Sequence, residues 1–383
     1  MTSRILALLL AGAACLAGAL PLRAVEEPRW DRDAAARYLD GRMDAWWANA
    51  KTLKTAGGET RCLSCHTTLP YVWAREALRH SQAPTQPTPH EQRVLEQVSR
   101  RIGYRGDDQP YYDHTNAKKV ESRGVEAVVN AVVLSGLDGD AIASDRQSLL
   151  SAAMRRLWDV QRPDGAWDWL DFGLEPYEAP DAAFQGAAMA AIAAGSPAGR
   201  QASDNETGRA GVAKLRAYLR SHLTVQRAFN RAWLLLAAAR LDGLLTEQER
   251  AAIVTNIESR QRADGGWSLA DLGAWRWTRR EAPFAPPGTV DQALLAQPDG
   301  YATGLVVYAL RRSGRPVSSP VVQKGQQWLI AHQVPERAGD PAWAPWRAYS
   351  LNYDREHGGP KGEPWRRMFM SDLATAFGVL ALL

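Results

Sequence analysis

The sequence predicts an all-α fold, an α/α toroid of concentric inner and outer helices, and three observations lead there. "QRPDGAWDW" at 161–169 and "QRADGGWSL" at 261–269 share the pattern QRxDGxW, and a motif that returns after a long interval signals a repeat architecture. Five other segments are rich in small residues and nearly free of charge: "SRGVEAVVNAVVLSG" (122–136), "DAAFQGAAMAAIAAG" (181–195), "FNRAWLLLAAARLDG" (229–243), "DGYATGLVVYALRRSG" (299–314) and "SDLATAFGVLALL" (371–383). Charged, amphipathic stretches alternate with these at intervals of about 50 to 70 residues. A helix that is apolar on nearly every face is buried on nearly every face, so the charge-poor helices make the inner ring and the charged ones the outer.

At the amino terminus Arg4 precedes an apolar run, Ile5 to Leu20, followed by "LPLRA" and the acidic "VEEP". This pattern predicts an export signal over residues 1–24. The run is shorter than a membrane helix needs, and no later segment is long and uncharged enough to span a bilayer. Cys15 lies inside it, but the preceding Gly-Ala-Ala does not match a lipid-attachment site, so no lipid anchor is expected. The expected location is outside the cytosol, in a bacterial periplasm. Loss of residues 1–24 removes Arg4 and Arg23 and no acid, which leaves 44 Lys+Arg against 42 Asp+Glu. So balanced a charge argues against a nucleic-acid partner.

Next come a helical stretch at 31–50, "DRDAAARYLDGRMDAWWANA", and then "CLSCH" at 62–66. Cys62 and Cys65 are the only cysteines outside the leader, and an exported dithiol is expected to oxidise unless a ligand or covalent bond consumes it. A redox-active pair wants a thioredoxin-like βαβ context, which is missing, and a zinc site wants a fourth ligand that no further cysteine supplies. Covalent c-type haem attachment explains the spacing best. Both thiols add to the porphyrin, and His66 becomes the proximal iron ligand. A short-range disulfide is the plainer alternative. The expected cofactor is therefore haem c with its iron.

No methionine lies between Met43 and Met154, so the second axial ligand of simple cytochromes has no obvious source. His80 and His90 flank the Pro-rich "SQAPTQPTP". His114, in "PYYDHTNAKK", precedes a strong helix and is the preferred candidate for the sixth iron ligand; Met43 is the weaker one. Segment 90–104, "HEQRVLEQVSRRIGY", is again helical. A closed ring of six hairpins needs six inner helices, and five are visible. Segments 31–50 and 90–104 are the candidates to complete it, with 51–89 as a loop carrying the haem. The domain reading is a haem-binding segment over 25–120 and the toroid over 121–383, with a separate small cytochrome domain over 25–120 as the alternative.

Several charge-poor segments end in Gly, as a helix C-cap does. Both QRxDGxW copies follow amphipathic stretches, "DRQSLLSAAMRRLWDV" and "TEQERAAIVTNIES", and Asp-Gly makes the stop and turn. A looser third copy is "KGQQWLIAHQ" (324–333), followed by Gly339 and Trp343. Two clusters are candidates for chemistry. Asp168, Asp171, Glu175, Glu178 and Asp181 form an acidic loop suited either to general acid–base work on a sugar or to plain helix capping. Asn352, Asp354, Arg355 and Asp372 are placed at one mouth of the ring.

These repeats resemble those of squalene-hopene cyclases and the wider prenyltransferase and terpenoid cyclase toroid superfamily. The likeness rests on the Gln-x-x-Asp-Gly-x-Trp ends, the "KGQQWL" helix, and the "DGYATGL" and "SDLATAF" inner helices, and it covers roughly residues 120–383. It implies an α/α barrel in which Gln161 with Trp167, Gln261 with Trp267, and Gln333 with Trp343 tie outer helices to neighbouring turns. It also implies an apolar or isoprenoid ligand in the cavity. The D-x-D-D of the cyclases is absent, as are the D-D-x-x-D of diphosphate ionisation and the zinc set of protein prenyltransferases, so no catalytic residue carries over. The functional expectation is electron transfer with a periplasmic redox partner, or haem-linked redox chemistry on the apolar ligand. A cyclase-like isomerase or lyase without a redox role and a non-catalytic binding module are the alternatives.

Overall fold

A computed structural model describes residues 29–55, 58–81, 86–103, 109–136, 144–273, 275, 296–340, 342–349, 351 and 368–383. The expected export signal with Cys15, and Asn352, Asp354 and Arg355, lie outside them. The described residues are mostly helical. Thirteen α-helices and a single two-stranded hairpin are present: α1 (Arg32–Asn49), β1 (Thr52–Thr55), β2 (Gly58–Arg61), α2 (Thr68–Ser81), α3 (Pro89–Gly103), α4 (Asn116–Ser135), α5 (Ser144–Asp159), α6 (Ala182–Gly195), α7 (Pro197–Ala202), α8 (Glu206–Ser221), α9 (Ala228–Ala238), α10 (Glu247–Glu258), α11 (Gly300–Arg312), α12 (Pro320–Ala331) and α13 (Phe369–Leu382).

Local chemistry sets many of the starts. Asp31, Thr115, Asn205 and Asp299 each accept a hydrogen bond from the third backbone N–H onward, capping α1, α4, α8 and α11. Thr246 and Glu249 form a reciprocal capping box on α10. Burial then sorts the helices into two kinds. In α6 every residue except Ala183 is buried, and α9, α11 and α13 are buried along almost their whole length. In α1 only Ala34/Ala35, Tyr38/Leu39, Arg42/Met43 and Trp46/Trp47 are buried, a single stripe at helical spacing. Helices α8, α10 and α12 follow the same one-sided pattern.

The buried helices are neighbours in a closed cycle: α2 packs on α4, α4 on α6, α6 on α9, α9 on α11, α11 on α13, and α13 back on α2. Where α11 crosses α13 the backbones come close, because Gly304 has no Cβ; one built there would lie 2.6 Å from the carbonyl carbon of Phe377. The sixth member corrects the sequence expectation. It is α2, inside the stretch 51–89 read as a loop, whereas α1 and α3 lie outside the cycle. The charges of Arg75, Glu76 and Arg79 and the early Pro70 hide its character, yet Leu69, Tyr71, Val72, Trp73, Ala74 and Leu78 are all buried. The hairpin β1–β2 was not anticipated either. It pairs Thr52 with Arg61 and Thr55 with Gly58, and it delivers the chain to Cys62.

The repeat ends make the ties that their pattern implies. Gln161 Nε2 donates to Gly165 O within its own turn at 3.0 Å and to Gly211 O of α8 at 3.0 Å. Gln261 Nε2 does the same to Gly265 O and to Val321 O of α12, both at 2.9 Å. Trp167 Nε1 donates to Leu157 O and Trp267 Nε1 to Ile257 O, each carbonyl four residues before the glutamine. In the third copy Gln333 exchanges two hydrogen bonds with the Asp31 backbone at the head of α1, at 2.6 and 2.8 Å. Its tryptophan is Trp346, not Trp343: Trp346 is 1 % exposed and donates to Leu329 O, again four residues before the glutamine. The turn is longer in this copy, which misaligns the sequence pattern. Trp343 instead reaches Val334 O at 3.2 Å.

Candidate functional site

The backbone brings "CLSCH" to the head of α2. Ser64 Oγ accepts from the N–H groups of Thr67 (2.8 Å) and Thr68 (3.0 Å), so the segment leads straight into that helix. Cys62 and Cys65 are both free thiols, so the disulfide alternative is not formed. Burial, with the Glu178 carboxylate adding, pushes both well above the ordinary thiol value, which keeps them protonated and is the opposite of a reactive redox dithiol.

Both cysteines and His66 line one cleft, together with Trp46, Arg61, Arg101, Tyr111 and Glu178, and with the apolar wall of Val98, Val125, Val129 and Leu170. The cleft encloses about 620 Å³ that is partly open to solvent, of which only about 40 Å³ is roomy enough to centre a water molecule. Arg101 crosses its edge, paired with Glu126 through both nitrogens of its fork and stacked over the Tyr111 ring at 4.8 Å.

His66 is 9 % exposed and held by rings, Phe369 at 4.1 Å and Trp46 edge-on at 5.4 Å. Its Nδ1 lies 3.0 Å from Thr67 Oγ1. That hydroxyl donates to Asp372 Oδ2 at 2.8 Å. Asp372, 1 % exposed on α13, also accepts from Tyr38 OH (2.9 Å) and from Arg42 Nε (2.6 Å) and Nη2 (3.1 Å). Burial and the neighbouring Asp372 carboxylate push the Tyr38 phenol up, so it stays a donor. Asp372 thus sits in the wall behind His66 and not at a free mouth. Pattern reading had no signal for this, because the partners are more than 300 residues apart in the chain.

The remaining candidates lie elsewhere. His114 is exposed, ahead of α4, and is not among the residues lining the cleft; Met43 is buried in α1 and does not line it either. His90 faces Asp44 at 3.2 Å. The carboxylates of the acidic loop are engaged by other groups. Arg227 binds Glu175 at 2.8 Å and also Asp181, Asp171 Oδ1 accepts from Gly173 N, and Glu178 turns to the cleft. Among the described residues no group of three or more His, Cys, Asp or Glu side chains converges to hold a metal ion. No helix there is long and apolar enough to cross a membrane. Inside the cycle of buried helices the rings of Trp73, Trp233, Phe377, Tyr301 and Tyr177 touch in sequence at 5.4 to 6.2 Å, so this region is filled by the chain's own aromatic groups.

Compared with protein-family models and with curated proteins, the chain matches none.

Proposed function

We propose that this chain is an exported c-type haem protein built on an α/α toroid, and that it carries single electrons to and from a partner outside the cytosol. The toroid reading is supported by the closed cycle of buried helices and by the Gln333–Asp31 tie between the third repeat and the head of α1. The observation that carries the haem reading is the presence of two unbonded thiols and a buried imidazole on one cleft. Cys62 and Cys65 would hold the ring through thioethers and His66 would hold the iron; the group supplies one-electron chemistry when bound.

The donor set fits a haem. Thiols with raised pKa beside an apolar wall stay protonated and unreactive, while Arg61 and Arg101, which also line the cleft, are paired with Glu59 and Glu126. The cleft as it stands is too narrow for a planar ring, so the reading requires its walls to part when one is seated. The lining residues include no methionine and no histidine but His66, so they offer none of the common second ligands.

The test is expression of the full chain with a cytochrome c maturation system, followed by acid–acetone extraction and visible spectroscopy. Haem colour that stays with the polypeptide, and is lost in Cys62→Ser/Cys65→Ser, is the expected result. A colourless polypeptide overturns the proposal.

A further inference from the structure

We infer that Thr67 and Asp372 are positioning residues that fix the tautomer of His66, leaving its Nε2 as the lone-pair nitrogen presented to a metal. This rests on the haem reading for its purpose but not for its geometry. A threonine hydroxyl has one proton, and here it is committed: Asp372 is paired with Arg42, and a carboxylate in such a pair accepts hydrogen bonds and donates none. Thr67 Oγ1 at 2.8 Å therefore donates to Asp372 and offers a lone pair to the ring nitrogen at 3.0 Å. The proton of that contact resides on Nδ1. A neutral imidazole protonated at Nδ1 is unprotonated at Nε2, which is the form that binds a metal.

The arrangement has the form of an outer-shell partner that raises ligand basicity. Negative charge from Asp372 reaches the ring through one hydroxyl. Arg42 and Tyr38, both from α1, hold the carboxylate from the other side. Phe369, three residues before Asp372 on the same helix, fixes the ring plane. Five groups from three separated stretches of chain, Thr67, Tyr38 and Arg42 of α1, and Phe369 and Asp372 of α13, thus act on one side chain. Neither Thr67 nor Asp372 lines the cleft, so they would touch no haem and act only through His66.

The experiment uses the full-length chain, uniformly labelled with ¹⁵N-histidine and examined by NMR without haem, with His66→Gln to assign the signal. The expected result is a pyrrole-type shift at Nδ1 and a pyridine-type shift at Nε2 in the parent protein. Thr67→Ser should keep both, and Thr67→Val should lose the bias while leaving the fold intact by circular dichroism. A parent protein with the proton on Nε2, or a Thr67→Val protein with an unchanged tautomer, overturns the inference. In haem-loaded protein Thr67→Val should raise the reduction potential and Thr67→Ser should leave it near the parent value, because a less basic ligand favours the oxidised iron less; an equal potential in all three proteins also overturns it. If the tautomers behave as expected but the chain takes up no haem, the cofactor reading fails and the positioning role stands.

Discussion

Replacing Asp372 with leucine should be among the most damaging single changes in this protein, and the structure gives the reason and the size. The carboxylate is almost fully buried and receives four hydrogen bonds, two from Arg42 and one each from Tyr38 and Thr67. Asp372→Leu removes the carboxylate that faces the 9 % exposed Arg42 guanidinium, and breaking a buried pair from one side costs ~3–5 kcal/mol. Two stranded hydroxyls add to this, at ~1–3 kcal/mol for each donor left unsatisfied. A total above ~5 kcal/mol takes away about as much as the whole stability of a marginal domain. Arg42→Met should cost less, since tyrosine and threonine still satisfy part of the carboxylate. The double variant removes both charges, and replacing a buried pair by apolar groups is often close to neutral. It should therefore recover ~2–3 kcal/mol relative to the sum of the singles. The assay is urea unfolding followed by tryptophan fluorescence and by far-ultraviolet circular dichroism, with coincident transitions required before free energies are compared. A single Asp372→Leu cost under ~1 kcal/mol, or strictly additive singles, would refute the reasoning.

Three further outcomes are expected. Gly165→Ala should destabilise by ~3 kcal/mol or more, since φ is +100° and the new Cβ would meet the Lys214 carbonyl oxygen at 2.2 Å; Gly339→Ala, at φ +79° with nothing within 4 Å, should cost only ~1–2 kcal/mol. Thermal melts of the two variants check this, and equal losses would remove the packing argument. Burial pushes the Asp299 carboxyl up to about 7, against the pull of the Ala302 and Leu269 N–H groups at 2.8 and 2.6 Å. Between about pH 4, where an unfolded Asp titrates, and pH 7 the folded chain then holds a proton that the unfolded chain lacks. This group's contribution to stability falls as pH rises through that window and is flat above it. Asp299→Asn should show a correspondingly shallower decline in urea midpoints across the same window, and parallel curves for the two proteins would contradict the shift. Iodoacetamide should label Cys62 and Cys65 of the haem-free chain far more slowly at neutral pH than after denaturation, by mass spectrometry, because both thiols are held protonated; rapid labelling of the folded chain would show that they are not.

Much of the fold was legible because the inner helices betray themselves by what they lack. Residues 181–195 contain one charge at the very start, and α6 runs from Ala182 to Gly195. The QRxDGxW ends were legible for a different reason: glutamine, the positive-φ glycine and tryptophan do three jobs at fixed offsets, so their spacing survives in the sequence. In the third copy the glutamine was legible but the tryptophan was not, because the turn is longer and spacing pointed to Trp343 where the fold uses Trp346. Helix α2 escaped because its charges sit on a short helix whose other face is buried. At the candidate site the Cys-x-x-Cys-His spacing was plain in the sequence, but the support behind His66 was not. Asp372 was a candidate, but for one mouth of the ring; its local sequence gives no sign that its partners are Tyr38, Arg42 and Thr67.

That support also ties the segment from Cys62 to His66 to α1 and α13. The contacts that turn His66 toward its cleft come from α1 and α13, and the contacts that close the cycle of helices join the same two ends of the chain: α13 packs on α2 and on α1, and Gln333 binds Asp31. None of these contacts is local. Those made by α13 form only when that helix has docked against α1 and α2, a pairing of high sequence separation. Until then Thr67 has no carboxylate to bind, Phe369 is not against the imidazole, and the His66 ring is free to take either tautomer. Closing the ring and preparing the histidine are therefore one event, and a chain shortened before Phe369 should keep its CxxCH sequence while losing the geometry that makes it a site.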